Sequence, residues 1–142
     1  MRIGELARAA GTTPRTVRYY EEIGLLAEAG ARAAGEHREY TDADVARLRE
    51  VLRLKRLLGL SLDELREVVQ GEDERAERRS KWRETSDPVE RRRILLAAAD
   101  HTDGLLELVQ RRTAELETFE TELNERRRRR LHLLGELDET LA

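Results

Sequence analysis

The chain has 142 residues, of which 40% are charged and only 4% aromatic, and its 27 basic and 30 acidic side chains leave a net charge of -3. Aromatic filling for a large globular core is missing, so the composition suits one small module followed by a long helix buried along a single stripe. The absence of cysteine excludes disulfides, thiolate metal sites and cysteine redox switches, and no apolar run reaches signal-peptide or membrane-spanning length, which predicts a soluble, cytoplasmic chain without membrane contact.

A net negative charge by itself argues against a nucleic-acid partner. Its distribution softens that argument. Residues 1–71 hold 12 Arg and Lys against 12 Asp and Glu, and the excess acid lies beyond them. A neutral module still binds DNA if its basic groups share one face.

In chain order, Ile3, Leu6, Ala7 and Ala10 recur at helical spacing and Gly11 follows as a stop, predicting a short amphipathic helix. Thr12 and Thr13 are placed to cap a second helix, about Pro14 to Glu22, whose first turn tolerates the proline. Helix, tight glycine turn and helix make the helix-turn-helix pattern. At 100° per residue, Arg15, Arg18, Tyr19 and Glu22 fall on one face of the second helix and Val17 and Tyr20 on the other. Two guanidiniums and a phenol then point outward, as a major-groove reader requires.

Gly24 to Gly35 is loose, anchored by Leu25 and Leu26, and leads into His37-Arg38-Glu39-Tyr40, where alternation after turn residues suggests a short β-ribbon wing. Thr41 to Asp44 opens a third helix with a start like a capping box, with Val45, Leu48, Leu52 and Leu58 as its buried stripe and Gly59 as its end. Ser61 to Glu64 is a full capping box for a fourth helix through about Gln70, with Leu62, Leu65, Val68 and Val69 inward and Gly71 as its stop. Glu72 to Thr85 is almost wholly charged and reads as a connector or a solvated helical turn.

A further helix starts at Asp87-Pro88-Val89-Glu90. Leu95, Ala98, Thr102, Leu105, Val109, Arg112, Leu116, Phe119 and Leu123 are spaced alternately three and four apart, the seam of a coiled coil. A helix of that length needs a partner helix, and a second copy of the chain is the simplest source. The organisation expected is thus an all-α protein: a DNA-reading module at 1–71, a charged connector at 72–86, and a dimerisation helix with C-terminal tail at 87–142.

Ile3-Gly4-Glu5-Leu6-Ala7, Arg18-Tyr19-Tyr20-Glu21, Ile23-Gly24-Leu25-Leu26, His37-Arg38-Glu39-Tyr40-Thr41 and Leu58-Gly59-Leu60-Ser61-Leu62 resemble, in this order, the MerR-family DNA-binding domain over roughly the first half of the chain. The resemblance implies a winged helix-turn-helix, dimerised by an antiparallel pair of long helices. Such a dimer binds pseudo-palindromic promoter DNA, which activators bend and untwist, and RNA polymerase becomes a candidate partner. Carried over by position, Arg15, Arg18 and Tyr19 contact the groove and its backbone, Arg38 and Tyr40 act from the wing, Arg56 holds a phosphate, and Thr13 and His37 join the same surface. Leu95, Leu105, Val109, Leu116, Phe119 and Leu123 form the dimer seam. Two departures stand out: Ala27 replaces the proline that often follows Gly-Leu-Leu, and the family's metal-sensing cysteines are absent, which leaves a heavy-metal role without chemical basis.

Other features have plainer readings. Arg53, Lys55 and Arg56 as a group read as solvated surface. The run Arg126 to Arg130 suits i,i+4 pairs of Glu122 with Arg126 and Glu125 with Arg129 better than a second nucleic-acid site. His37, His101 and His132 are too dispersed for a metal site, and neither a metal nor a cofactor is expected. Trp82 either covers the module's core or lines a small ligand pocket. No nucleophile and base set or phosphate-cradling loop appears, so an enzyme is not expected. An excisionase-like architectural protein would share the module without the long helix, and a coiled-coil adaptor would leave the shared face of Arg15, Arg18 and Tyr19 unexplained. Only residues 126–142 follow the seam, so any small-molecule effector would have to use the helices or the connector.

Overall fold

The computed structural model describes residues 1–26 and 39–142. Among the described residues there are helices and no strand: α1 (Ile3–Ala10), α2 (Pro14–Glu22), α3 (Asp42–Leu58), α4 (Leu62–Glu84) and α5 (Pro88–Leu141). The expected wing ribbon, with His37 and Arg38, lies outside the described residues. The chain divides into two compact units, Met1–Ala99 and Asp100–Ala142, so that α5 has its first turns in the one and the remainder in the other.

Local chemistry sets the helix ends. Gly11 closes α1 in the left-handed region at φ 75°, where a residue with a Cβ is strained. Two residues later the Thr13 hydroxyl accepts the Thr16 N–H at 3.2 Å, with Pro14 in the first turn, and α2 begins. Full capping boxes open the next two helices. Thr41 and Asp44 exchange backbone and side-chain bonds at 2.8 and 3.3 Å, as do Ser61 and Glu64 at 3.0 and 3.3 Å. Before α5 the Thr85 hydroxyl accepts the Asp87 N–H, and the Asp87 carboxylate accepts the Val89 N–H.

In the first unit, α1 lies against α2 and α3, and α3 against α4. Leu6, Val17, Leu25, Leu48, Val51 and Leu65 are fully buried between them. The stripe of α3 differs from the expected one, since Val51 and Leu54 are buried while Leu52 is only half-buried. Two arginines of α3 tie this core to its neighbours. Arg49 donates twice to the Ala9 carbonyl at the end of α1, at 3.1 and 2.8 Å. Arg47 forms a two-pronged pair with Asp73 of α4, one prong at 2.9 Å, and reaches the Leu25 carbonyl at 3.4 Å.

Gly71 does not end the fourth helix. It is buried in mid-helix, and α4 runs on through the charged stretch to Glu84, leaving only Thr85 to Asp87 between it and α5. The expected connector is therefore mostly helix. Glu, Arg, Lys and Ala are strong helix formers, and Gly71, Arg75, Arg78 and Trp82 recur at helical spacing, which together outweigh one glycine.

The second unit is a helix on its own: no residue from Asp100 to Ala142 is buried. Glu125 pairs with Arg128, three residues on at 2.9 Å, in place of the expected Arg129.

Two glycines should respond in opposite senses to alanine. At Gly11 an added Cβ meets nothing within 4 Å, so the cost of Gly11→Ala is that of the left-handed backbone alone, about 1–2 kcal/mol. At Gly104, also in open space but inside α5, Gly104→Ala should stabilise by about 1 kcal/mol. Chemical denaturation of both variants checks the sign as well as the size.

Candidate nucleic-acid interface

Helix α2 is nine residues long, and burial decides which way it faces. Val17 is 0% and Tyr20 2% exposed, whereas Tyr19 is 46% exposed. Arg15, Arg18 and Glu22 are exposed as well. The division expected from helical spacing is thus present, with two guanidiniums and a phenol along one solvent-facing strip. Thr13 is exposed at the start of this strip, but its hydroxyl is already engaged with Thr16 as a cap.

The inner face of α2 is held by more than apolar contact. The Tyr20 hydroxyl lies 3.3 Å from the Lys55 ammonium of α3, which also stands 5.9 Å from the centre of the Tyr20 ring. Lys55, grouped from sequence with solvated surface, is therefore also a partner of α2. Arg56 follows it, exposed in the last turn of α3.

Tyr40 does not stand at the surface. It is buried, and its hydroxyl donates to the carboxylate of Glu21 at the end of α2. Its backbone exchanges bonds with the first residue: the Tyr40 N–H donates to the Met1 carbonyl at 2.7 Å, and the Met1 ammonium donates to the Tyr40 carbonyl at 2.9 Å and to Glu39 at 3.1 Å. Tyr40 thus joins the N-terminus and the C-terminal end of α2 at the point where the chain enters α3. The family resemblance placed it on the wing, in the DNA-facing set. The buried Tyr40 phenol ties the end of α2 to the start of α3. His37 and Arg38 lie outside the described residues.

The positions expected to form a dimer seam are all on α5. Leu95, Val109, Leu116, Phe119 and Leu123 are 43% to 56% exposed in the single chain, and Leu105 is half-buried. Among the described residues no group of three His, Asp or Glu is arranged to hold a metal ion, and no helix is long and apolar enough to cross a membrane.

Comparison with known proteins places this arrangement. The family model for MerR HTH family regulatory proteins matches residues 1–72. The chain belongs to the MerR family. Among its relatives, the HTH-type transcriptional regulator YfmP of Bacillus subtilis (strain 168) is 31% identical over 123 residues, 87% of each protein. The HTH-type transcriptional regulator ZntR of Escherichia coli (strain K12) is 46% identical over 68 residues, 48% of this chain and 47% of ZntR. The transcription regulator PbrR691 of Ralstonia metallidurans CH34, solved in complex with lead(II), is 32% identical with a TM-score of 0.49, covering 90% of this chain and 86% of that one. The match to YfmP, at 123 residues, necessarily reaches into α5, while that to ZntR spans about half of this chain. As a MerR-family chain, this protein is a transcriptional regulator with a helix-turn-helix at its N-terminus and a long helix at its C-terminus.

Replacing Tyr40 by Phe removes the hydroxyl that reaches Glu21 and with it a part-buried hydrogen bond to a carboxylate. We expect Tyr40→Phe to lower stability by about 1–3 kcal/mol without changing the helix content seen by circular dichroism. Urea unfolding followed at 222 nm measures it, and an unchanged midpoint would mean that water replaces the phenol at no cost.

Proposed function

We propose that this MerR-family regulator acts as a homodimer on double-stranded promoter DNA, with the exposed strip of α2 in the major groove. The observation that carries this reading is the placement of Arg15, Arg18 and Tyr19 outward while Val17 and Tyr20 are buried beneath them. Guanidiniums on one face can bond guanine edges or phosphates, and the phenol can reach backbone oxygens. Residues 1–71 supply the DNA-reading module in this account. Arg56 is assigned to a phosphate, Thr13 to the same DNA-facing surface at the start of α2, and His37 and Arg38 to the wing. Tyr40 supports that surface from beneath.

The homodimer rests on the apolar stripe of α5. Val109, Leu116, Phe119 and Leu123 recur at coiled-coil spacing and are about half exposed in one chain, an arrangement that a second helix resolves by burial. Two recognition helices held by one helix pair meet successive major grooves of a pseudo-palindromic site. Bending at the centre shortens the distance between those grooves, so the proposed mode of action is distortion of the promoter presented to RNA polymerase. The long helix also separates this reading from an architectural DNA protein.

A footprint on the DNA upstream of the protein's own coding region locates the operator. On it, Arg18→Ala should cost roughly 1–3 kcal/mol of sequence discrimination, with the fold intact because the position is exposed. Operators with identical half-sites and varied central steps should differ in affinity in the order of their deformability, since bending a site of this size costs on the order of 1–6 kcal/mol. Unchanged preference in Arg18→Ala removes the recognition-helix assignment; equal affinities with straight DNA remove the distortion.

The dimer has its own test. Leu116→Asp places a carboxylate in the seam and should yield a monomer by sedimentation velocity, with DNA affinity falling along with dimer content. A wild-type chain that sediments as a monomer at micromolar concentration would rule the seam out.

A further inference from the structure

The run Arg126–Arg130 has no part in the proposed DNA contact. Consecutive residues of a helix point to every side of it, and all these arginines are exposed. Nearby acids serve only one of them. Arg128 pairs with Glu125 at 2.9 Å, whereas Arg126, Arg127, Arg129 and Arg130 make no ion pair among the described residues. Carboxylates in the same condition stand at the other end of α5. Glu84, the last residue of α4, and Asp87, just before α5, are exposed and make no ion pair among the described residues, although Asp87 caps α5 through the Val89 N–H. The cations beside them are engaged: the Arg91 guanidinium carbon lies 4.6 Å from the centre of the Trp82 ring and its Nε donates to the Thr85 carbonyl, and Arg93 pairs with Glu90 at 3.3 Å.

Because α5 is one helix from Pro88 to Leu141, counting along it tells which residues of two antiparallel copies stand level, and seam meets seam only in steps of one heptad. With the pair centred at the level of Glu107, Leu95 faces the partner's Phe119, Ala98 the partner's Leu116 and Leu105 the partner's Val109. The one charged seam position in this overlap, Arg112, meets the partner's Thr102, with the partner's Asp103 beside it. Other registers bury guanidiniums against leucine or valine, at a desolvation cost. A slip of one heptad sets Arg126 against the partner's Leu95 and Arg112 against the partner's Val109, a slip of two sets Arg112 against the partner's Leu116, and a slip the other way sets Arg112 against the partner's Leu95. Charge agrees with apolar contact, since the first register brings Arg92 level with the partner's Glu122, Arg127 with the partner's Asp87 and Arg130 with the partner's Glu84. We propose that the Arg126–Arg130 run of each copy clasps the acidic α4–α5 turn of a second copy through Glu84 and Asp87 of the partner subunit. This rests on the homodimer reading above and adds a register to it, with the far part of α5 in one copy held on the end of α4 in the other.

The full-length chain has no cysteine, so a nitroxide on Thr121→Cys, an exposed position away from the seam, reports the register without a background label. Pulsed electron spin resonance should place the two labels of a dimer roughly 42 Å apart along the helix axis, and each heptad of slip changes that by roughly 10 Å. Sedimentation then measures the clasp. Arg130→Glu and Glu84→Arg should each weaken the dimer about 3- to 10-fold at low ionic strength and less at about 1 M salt, while both changes in one chain should restore it to within about twofold. Both positions are exposed, so circular dichroism should find all three variants as helical as the wild type. A dimer whose labels show another register, a dimer that neither reversal weakens, or a double reversal no tighter than the single ones overturns the clasp and leaves the homodimer standing. A wild-type chain that stays monomeric removes both.

Discussion

A nine-residue helix is too short to hold itself together in water, so α2 persists only because Val17 and Tyr20 are buried beneath it. Those two side chains also choose its rotation. With them inside, Arg15, Arg18 and Tyr19 have no direction left but outward, and a rotation of one position would bury a guanidinium at a cost no neighbouring contact offsets. The capping hydroxyl of Thr13, the Lys55 ammonium at the phenol of Tyr20 and the Tyr40 hydroxyl on Glu21 each act on the same helix from a different side. The exposed strip of α2 is in this sense a by-product of a small apolar core.

Much of this architecture follows from local signals. Thr13 before Pro14, Thr41 with Asp44, Ser61 with Glu64, and Gly11 and Gly59 in left-handed conformations are start and stop devices that work through nearby backbone groups, and a single sequence displays them. The two faces of α2 were equally evident, because only one angular division of its residues separates apolar from charged. Where reasoning from sequence fell short, the deciding contacts are distant in the chain. Gly71 resembles a stop, yet its environment is buried and the helix continues. Tyr40 belongs by position to a wing segment, while its hydroxyl is claimed by Glu21, nineteen residues earlier. Arg47 and Asp73 look like two surface charges until α3 and α4 bring them together.

The long helix shows what a single chain leaves uncovered. Leucines, a valine and a phenylalanine stand half exposed at regular spacing from Leu95 to Leu123, a pattern that costs solubility unless another surface covers it. The polar positions between them have local occupations: threonine hydroxyls 113, 118 and 121 donate to carbonyls one turn earlier, and the pairs Glu90–Arg93 and Glu125–Arg128 flank the stretch. Apolar and polar strips are thus kept apart along the same rod.

The uninterrupted course of α4 through Gly71 has a mechanical meaning. Its first turns are clamped to the module by Leu65, Val68 and the Arg47–Asp73 pair, and its last turns carry Arg78 and Trp82. A coil between these ends would absorb any displacement. A helix of this length, roughly 35 Å at 1.5 Å per residue, instead behaves as a stiff crank, turning a small push at its far end into a tilt at its near end.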